Sequence, residues 1–422
     1  MNTEHYDELE VRDPEAREAA LLAALPTQLR AALATPAGSI LLAGVDPAGV
    51  TTRAALAGLP VTRKQELLQR QQAARAVGAD PFGGFAAIGW RGQGAARPAR
   101  RVFQSPGPIY EPEGAQADYW RFGRALFAAG FRAGDLVHNS FSYHLTPAGS
   151  MMETGAHAIG CTVFPGGVGN TELQLQAMTE LRPQAYAGTP SFLRIALEKA
   201  DELGIALPSL TKASVGGEAF PPALRDALAA RGVQAYQSYG TADVGLIAYE
   251  TAARAGLVLD EGVIVEIVRP GTGEPVPDGE VGEVVVTVLN PDYPLVRFGT
   301  GDLSAVLPGR CPTGRTHTRI RGWLGRADQT AKVRGMFVHP SQVAEVLKRH
   351  PELGRARLVI EGEMANDRMT LHAEAASRPE GLTQAVAQTL RDVTKLRGEV
   401  ALATPGSLPN DGKVIEDARR YE

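Results

Sequence analysis

Apolar and polar positions follow two different rhythms along this chain, and the change between them divides it. Residues 14–33 space Leu and Ala at helical intervals among Arg and Glu, which predicts one or two surface helices. From 120 to 139 a helical pattern runs into the strand-like Leu136-Val137-His138, and a second helical stretch over 149–159 precedes Cys161-Thr162-Val163-Phe164. The alternation continues through Ala185-Tyr186-Ala187, a helix after Ser191, Lys212-Ala213-Ser214-Val215, a helix after Pro222, and Val233-Gln234-Ala235-Tyr236. Strands and helices in turn favour a parallel sheet with helices on its faces.

Beyond Glu250 the rhythm becomes β-rich. Val263-Ile264-Val265-Glu266-Ile267-Val268 and Glu283-Val284-Val285-Val286-Thr287-Val288 are separated by Gly, Pro and Asp, which predicts a small β subdomain. After Gly325 the order is helix (340–349), strand (357–361), strand (369–374), helix (381–396) and a last strand near Val400. The expected fold is an α/β large N-terminal domain with a β subdomain, residues 1–325, and a small α+β C-terminal domain, residues 326–422. A Gly- and Arg-rich stretch over 83–101 reads as irregular and leads into a short strand at Val102.

The 422 residues exceed what one hydrophobic core usually holds, in keeping with two domains. An apolar fraction of 44% against 21% charged matches an ordinary globular chain. A net charge of −4 gives no reason to expect nucleic acid or an anionic membrane as partner, so any anion must be held by local groups. Two cysteines, Cys161 and Cys311, are too few for a disulfide framework, the N-terminus lacks the pattern of a signal peptide, and no apolar run approaches a membrane span. A reducing cytoplasm is the expected setting, with a homodimer left open.

Five segments carry candidate chemistry. Gly216-Gly217-Glu218 and Tyr236-Gln237-Ser238-Tyr239-Gly240-Thr241-Ala242-Asp243 each follow a strand; small glycines let a flat base lie against backbone, and Tyr239 offers a ring to its other face. Arg297-Phe298-Gly299-Thr300-Gly301-Asp302-Leu303 offers a carboxylate, an acceptor suited to a diol. Gly325-Arg326-Ala327-Asp328-Gln329 lies at the domain junction, and Pro409-Asn410-Asp411-Gly412-Lys413 puts a compact positive charge near the C-terminus. Taken singly, these are tight turns, a loop aspartate and solvated charges.

In order and spacing, these segments resemble the core motifs of the adenylate-forming (acyl-CoA synthetase) superfamily, in its phenylacetate-CoA ligase-like branch, from Leu59-Pro60-Val61-Thr62-Arg63-Lys64 to Lys413. The resemblance implies that Gly216, Gly217, Glu218, Tyr239, Gly240 and Thr241 surround the adenine and α-phosphate of ATP or AMP, and that Asp243 stands where a Glu holds magnesium. It further implies that Asp302 binds ribose, Arg326 reaches the nucleotide, Asp328 is the hinge, and Lys413 is the catalytic lysine. Gly335 fits the loop bordering the coenzyme A tunnel. The expected substrates are a small carboxylic acid, ATP and coenzyme A. Phe141, Tyr143, His144, Ala187, Gly188, Thr189 and Pro190, at the carboxyl edge of the sheet, are candidates for the acyl pocket, whose acid is aromatic or a short hydroxy acid.

The resemblance breaks in two places. A phosphate loop of Ser, Thr and Gly ending in Lys-Pro is replaced by Ser105-Pro106-Gly107-Pro108-Ile109-Tyr110-Glu111-Pro112. Ser105 and Gly107 remain, two N–H donors are lost to proline, and Glu111 brings negative charge, with Arg100 and Arg101 as possible compensation. Ala242 also replaces a hydroxyl that Thr241 would have to supply. In Cys311-Pro312-Thr313-Gly314-Arg315-Thr316-His317 only one sulfur of the zinc-binding segment of some relatives is left, so no four-ligand metal site is expected. An AMP-forming acyl-CoA ligase is the leading expectation. The alternatives are the same fold with another acceptor, or a nucleotide-binding homologue without turnover.

Overall fold

Strands buried on both faces need helices on both sides, and the centre of this chain supplies them. A computed structural model describes residues 4–90, 98–327, 329–362, 366–409 and 413–419. Within it, Thr162–Pro165, Leu136–Asn139, Ala185–Gly188, Lys212–Val215 and Gln234–Thr241 lie side by side in parallel, with Val137 opposite Ala185 and Tyr186 opposite Ala213. The sheet then turns antiparallel through Gly245–Glu250, Leu257–Leu259, Arg319–Ile320 and Val306–Leu307, nine strands in all. Phe122–Ala128 and Ala148–Ala158 pack beneath the parallel half with Phe131, Val137 and Ala187 in one core.

A four-stranded sheet of Thr62–Arg63, Phe298–Ser304, Gly282–Val288 and Val263–Val268 packs its valines against Leu246-side residues such as Ile247, Ala248 and Leu257. Pro14–Leu33 is a single helix. Asp13 caps its first turn by accepting the backbone N–H groups of Glu15 and Ala16, and Pro14 stands where a missing N–H costs nothing. It is the surface element its spacing predicted: Leu21, Leu25 and Leu29, four apart on one stripe, are buried against Ile264 and Val296, while Glu15, Ala19, Ala23 and Thr27 on the other face are exposed.

The chain divides into two compact units, Met1–Gly325 and Arg326–Glu422. The second has its own core, with Val343, Val346, Val386 and Leu390 of two helices covering Leu358 and Leu371 of a sheet ordered Glu399–Ala403, Arg368–Ala375, Leu353–Glu361, Ile415–Asp417. Its entry is a hairpin, Ala331–Val333 with Met336–Val338, turned by Arg334 and Gly335 at φ values of 48° and 82°, the two left-handed positions of a two-residue loop. The strand Ile415–Asp417, immediately after Lys413, was not foreseen from the sequence.

Arg297 sits at the start of the strand that carries Thr300 and Asp302. Its guanidinium is buried, with Nε and Nη2 donating to Glu266 at 2.9 and 3.1 Å and Nη2 also to Gly273 O at 2.7 Å. Nη1 donates to the carbonyls of Ala57 and Leu59, so one side chain ties two loops to the sheet. Arg297→Ala leaves Glu266 buried without its partner and is expected to cost about 3–5 kcal/mol. Arg297→Lys cannot reproduce the fork and is expected to recover only part of that, as read by chemical denaturation.

Candidate active site

The carboxyl ends of the five parallel strands gather the candidate residues along one sheet edge, where ligands of open α/β sheets bind. Ser140-Phe141 follows the strand ending at Asn139, Thr189-Pro190 the strand ending at Gly188, and Gly216-Gly217-Glu218 the strand ending at Val215. Backbone hydrogen bonds bind these segments together: Ser140 N to Ala187 O at 2.8 Å and Gly216 N to Gly188 O at 3.2 Å.

The glycines have steric reasons. A Cβ on Gly216 would lie 2.9 Å from Ser238 O, and one on Gly240 2.6 Å from Gly245 O. Gly217 is exposed and left-handed, with φ of 76°. Tyr239 projects from the neighbouring strand, and its hydroxyl donates to Asp302 Oδ2 at 2.9 Å, with Thr300 Oγ1 at 3.3 Å. The other carboxylate oxygen of Asp302 accepts from Trp323 Nε1 at 3.1 Å. Tyr239, Thr300, Asp302 and Trp323 therefore form one hydrogen-bonded group joining the two sheets. Thr241 Oγ1 accepts from the backbone N–H groups of Asp243 and Val244, both at 3.3 Å, which caps the turn that buries Asp243.

At the place of the phosphate loop stands a tight hairpin, Arg101–Ser105 with Ile109–Glu113. Pro106 and Pro108 leave Gly107 as the sole N–H donor of the connecting turn. Ser105 gives its hydroxyl to the carboxyl of Glu111, which is fully buried. Burial, followed by the Asp243 carboxylate, pushes Glu111 up to about 8, while Lys64 pulls the other way. Lys64 Nζ lies 2.8 Å from Asp243 Oδ2. The second oxygens of both acids, Glu111 Oε2 and Asp243 Oδ1, and the hydroxyl of Tyr293 are buried with no protein partner. Arg101 Nη1 donates to Glu113 at 2.9 Å and to Ser150 at 2.5 Å. Arg100 is exposed.

Among the acyl-pocket candidates, Phe141, Ala187, Gly188 and Pro190 are buried, Tyr143 and Thr189 are half-buried, and His144 is exposed. Tyr143 Oη accepts from Asn139 Nδ2 at 2.7 Å and donates to Glu153 at 2.9 Å. Ser140 Oγ donates at 2.5 Å to the Tyr186 hydroxyl, which donates in turn to Thr189 O at 3.2 Å. A Cβ on Gly188 would lie 2.1 Å from both hydroxyl oxygens, so this pair exists because residue 188 has no side chain. Glu218 Oε2 is buried beside this group without a hydrogen bond and raises Tyr186 after burial has done so.

In the second unit, the Arg326 guanidinium lies 5.7 Å from the centre of the Phe337 ring, and Lys413 is exposed just ahead of a strand anchored by Val414 N donating to Gln329 at 2.7 Å. Asp328 and the residues Asn410, Asp411 and Gly412 lie outside the described residues. The segment 311–317 has become a docking point for the N-terminus: buried Glu10 meets Arg315 at 2.9 Å and Tyr249 at 2.9 Å, and Thr316 N donates to Glu10 O. Burial, then nearby arginines led by Arg17, hold His317 down at about 3. Among the described residues no group of three or more His, Cys, Asp or Glu is placed to hold a metal ion. No helix of them is long and apolar enough to cross a membrane.

The model of the AMP-binding enzyme family matches residues 121–288, the stretch from the first helix under the parallel sheet to the end of Gly282–Val288. The phenylacetate-coenzyme A ligase of Thermus thermophilus is 30% identical over 403 residues, covering 87% of this chain and 87% of that one. The chain belongs to the phenylacetate-coenzyme A ligase family of adenylate-forming enzymes. The ligase of Aromatoleum evansii is 32% identical over 348 residues, covering 78% of this chain and 74% of its own length. A solved structure of 2-hydroxyisobutyryl-CoA ligase, in complex with 2-HIB-AMP and CoA, aligns with a TM-score of 0.81 at 24% identity over 98% of this chain and 92% of that one, which establishes the shared fold.

As a phenylacetate-coenzyme A ligase family member, the chain places three groups at this edge that motif reading passed over. Trp323 carries no motif weight, and its signal is only that the chain has three tryptophans. Lys64 was visible only as the end of the opening resemblance, and Tyr186 as a strand residue. The buried Glu111 gives a pH dependence. Its folded-state value lies above the ordinary 4.5, so its contribution to stability is full below about 4.5 and is lost as pH rises through about 8. Glu111→Gln keeps the shape without the charge. Its melting temperature relative to the parent is expected to improve from about pH 5 to about pH 8 and to level off above that, the window set by the linkage relation; a constant difference would mean that Glu111 is already ionised in the folded protein across that window.

Proposed function

We propose that this protein is an AMP-forming acid–thiol ligase that activates an aromatic, phenylacetate-like acid or a short hydroxy acid as its adenylate and passes the acyl group to coenzyme A. The supporting observation is the group formed by Tyr239, Thr300 and Asp302, a ring beside an acceptor-only carboxylate at the carboxyl edge of the sheet. In this reading Gly216, Gly217, Glu218 and Gly240 line the base, Tyr239 stacks on it, Asp302 takes the ribose hydroxyls, and Arg326 reaches the nucleotide. Thr241 keeps a hydroxyl hydrogen to offer the α-phosphate while its oxygen caps the turn.

Magnesium fits at Asp243, because a buried carboxylate oxygen without a protein partner is a hard donor of the right kind. Bound there, it would supply positive charge beside the phosphates. The chain's own part is to hold the acid carboxylate against the α-phosphorus, exclude water and neutralise the charge that builds up as pyrophosphate leaves, the role assigned to Lys413. The carbonyl of the adenylate is then open to the coenzyme A thiol, with AMP as leaving group. The large unit 1–325 is the adenylate-binding domain and 326–422 a mobile domain hinged at Asp328 that serves both half-reactions. The relatives named for phenylacetate favour the aromatic acid, and the polar wall of Asn139, Ser140 and Tyr186 keeps the hydroxy acid open.

The hairpin favours a second reading. With one N–H in its turn and Ser105 committed to Glu111, the loop offers little to β- and γ-phosphates, so the protein would bind AMP or an acyl-adenylate without consuming ATP. Pyrophosphate release with Mg-ATP and a panel of aromatic and short acids, with and without coenzyme A, separates the two. The ligase reading expects release that needs one acid, thioester when coenzyme A is added, and a fall on the order of a hundredfold or more in Lys413→Ala. No release from any acid, together with AMP binding, would replace it by the second.

A further inference from the structure

We propose that Trp323 is a positioning residue for the nucleotide: its indole N–H fixes the Asp302 carboxylate in the orientation in which that carboxylate accepts the ribose hydroxyls. This rests on the reading of Asp302 as the ribose acceptor and assigns a role to a side chain that no motif includes.

The placement is specific. Trp323 Nε1 donates to Oδ1 at 3.1 Å and Tyr239 Oη to Oδ2 at 2.9 Å, so each oxygen of the carboxylate is held from a different side. The Asp302 backbone N–H donates to Thr300 Oγ1 at 3.1 Å, and the Thr300 hydroxyl is anchored on Val284 O at 2.9 Å. The backbone on which Trp323 sits is laid along the same strand: Leu324 N donates to Leu303 O and Leu303 N to Gly325 O, both at 2.9 Å. The indole is therefore carried to the carboxylate by the chain and not by a free rotation.

A carboxylate has about four acceptor positions, and these two donors engage one on each oxygen. Two fixed donors on opposite oxygens define the plane of the group, which an Asp side chain on two single bonds does not do alone. Fixing it in advance spares the ligand the cost of ordering it on binding. Tyr239 has a second demand on it, since its ring is assigned to the base. Trp323 is half-buried, and its ring can be retained while its donor is removed, which makes the contribution separable.

Trp323→Phe keeps an aromatic ring and deletes the N–H. Calorimetric affinities of parent and variant for AMP and for 2′,3′-dideoxy-AMP give the readout. The parent is expected to prefer AMP. In Trp323→Phe, AMP should weaken on the order of tenfold, the size of one hydrogen bond to a charged group, while dideoxy-AMP barely changes, so the preference shrinks. Trp323→His, which keeps a ring N–H, should recover part of it. Equal losses for both nucleotides would reduce Trp323 to packing and overturn the proposal, as would unchanged affinities. A parent protein that binds AMP and dideoxy-AMP alike would refute the ribose role of Asp302 itself, and with it any positioning by Trp323.

Discussion

The buried pair of Arg297 and Glu266 is the constraint on which the site rests. Burial alone raises Glu266, and Arg297 is what opposes that rise, first by hydrogen bonding and then by charge. The arginine also satisfies the carbonyls of Ala57, Leu59 and Gly273, so the loop leading to Thr62–Arg63 and the turn after Val263–Val268 are fixed by the same five donors. A buried pair of this kind adds little net stability over an apolar filling, but it admits one register only. Phe298 and Gly299 pair with Val286 and Val285, and Thr300 and Asp302 emerge in the irregular stretch that follows, before Leu303 pairs with Glu283. Asp302 can meet Tyr239 of the other sheet because this end of its strand does not slide.

The architecture was largely legible in the chain. Continuous apolar strands such as Ala185–Gly188, alternating with helices, read correctly as a parallel sheet with covered faces, since that pattern has few other solutions. Pro14–Leu33 was legible as a surface helix, since Leu21, Leu25 and Leu29, four apart, form the stripe that the helix turns to the core. The motifs picked out Tyr239 and Asp302, which lie within Gln234–Thr241 and Phe298–Ser304, and Asp243, two residues past the first of these, but not their partners. Trp323 and Lys64 are 21 and 179 residues from the acids they hold, and pairs at that separation carry no periodic signal. A strand as short as Ile415–Asp417 falls below any pattern and exists because it finds Leu358 and Ile360 to lie beside.

The same gap between residue type and environment governs the hairpin. Read as a sequence, Glu111 is a negative charge set where phosphates should lie. At an effective dielectric constant of about 20, two unit like charges about 4 Å apart repel by about 4 kcal/mol, enough to abolish ATP binding on its own. The structure removes that objection in a way the sequence does not show. Burial and the proximity of Asp243 keep Glu111 protonated at neutral pH, and Lys64 balances Asp243, so the cluster carries no net negative charge towards a ligand.

What the hairpin lacks is hydrogen-bond donors. A phosphate cradle works by presenting several backbone N–H groups at once, and here two positions are proline and the hydroxyl of Ser105 is turned inwards to Glu111. Removing repulsion does not restore those donors. Any affinity for a triphosphate has to come from groups outside the hairpin, while the base and ribose contacts proposed for Tyr239 and Asp302 do not involve it. A chain built this way loses grip on the β- and γ-phosphates before it loses grip on AMP. That ordering is why nucleotide binding and ATP turnover have to be measured separately, and why AMP, whose proposed contacts lie outside the hairpin, is the more informative ligand.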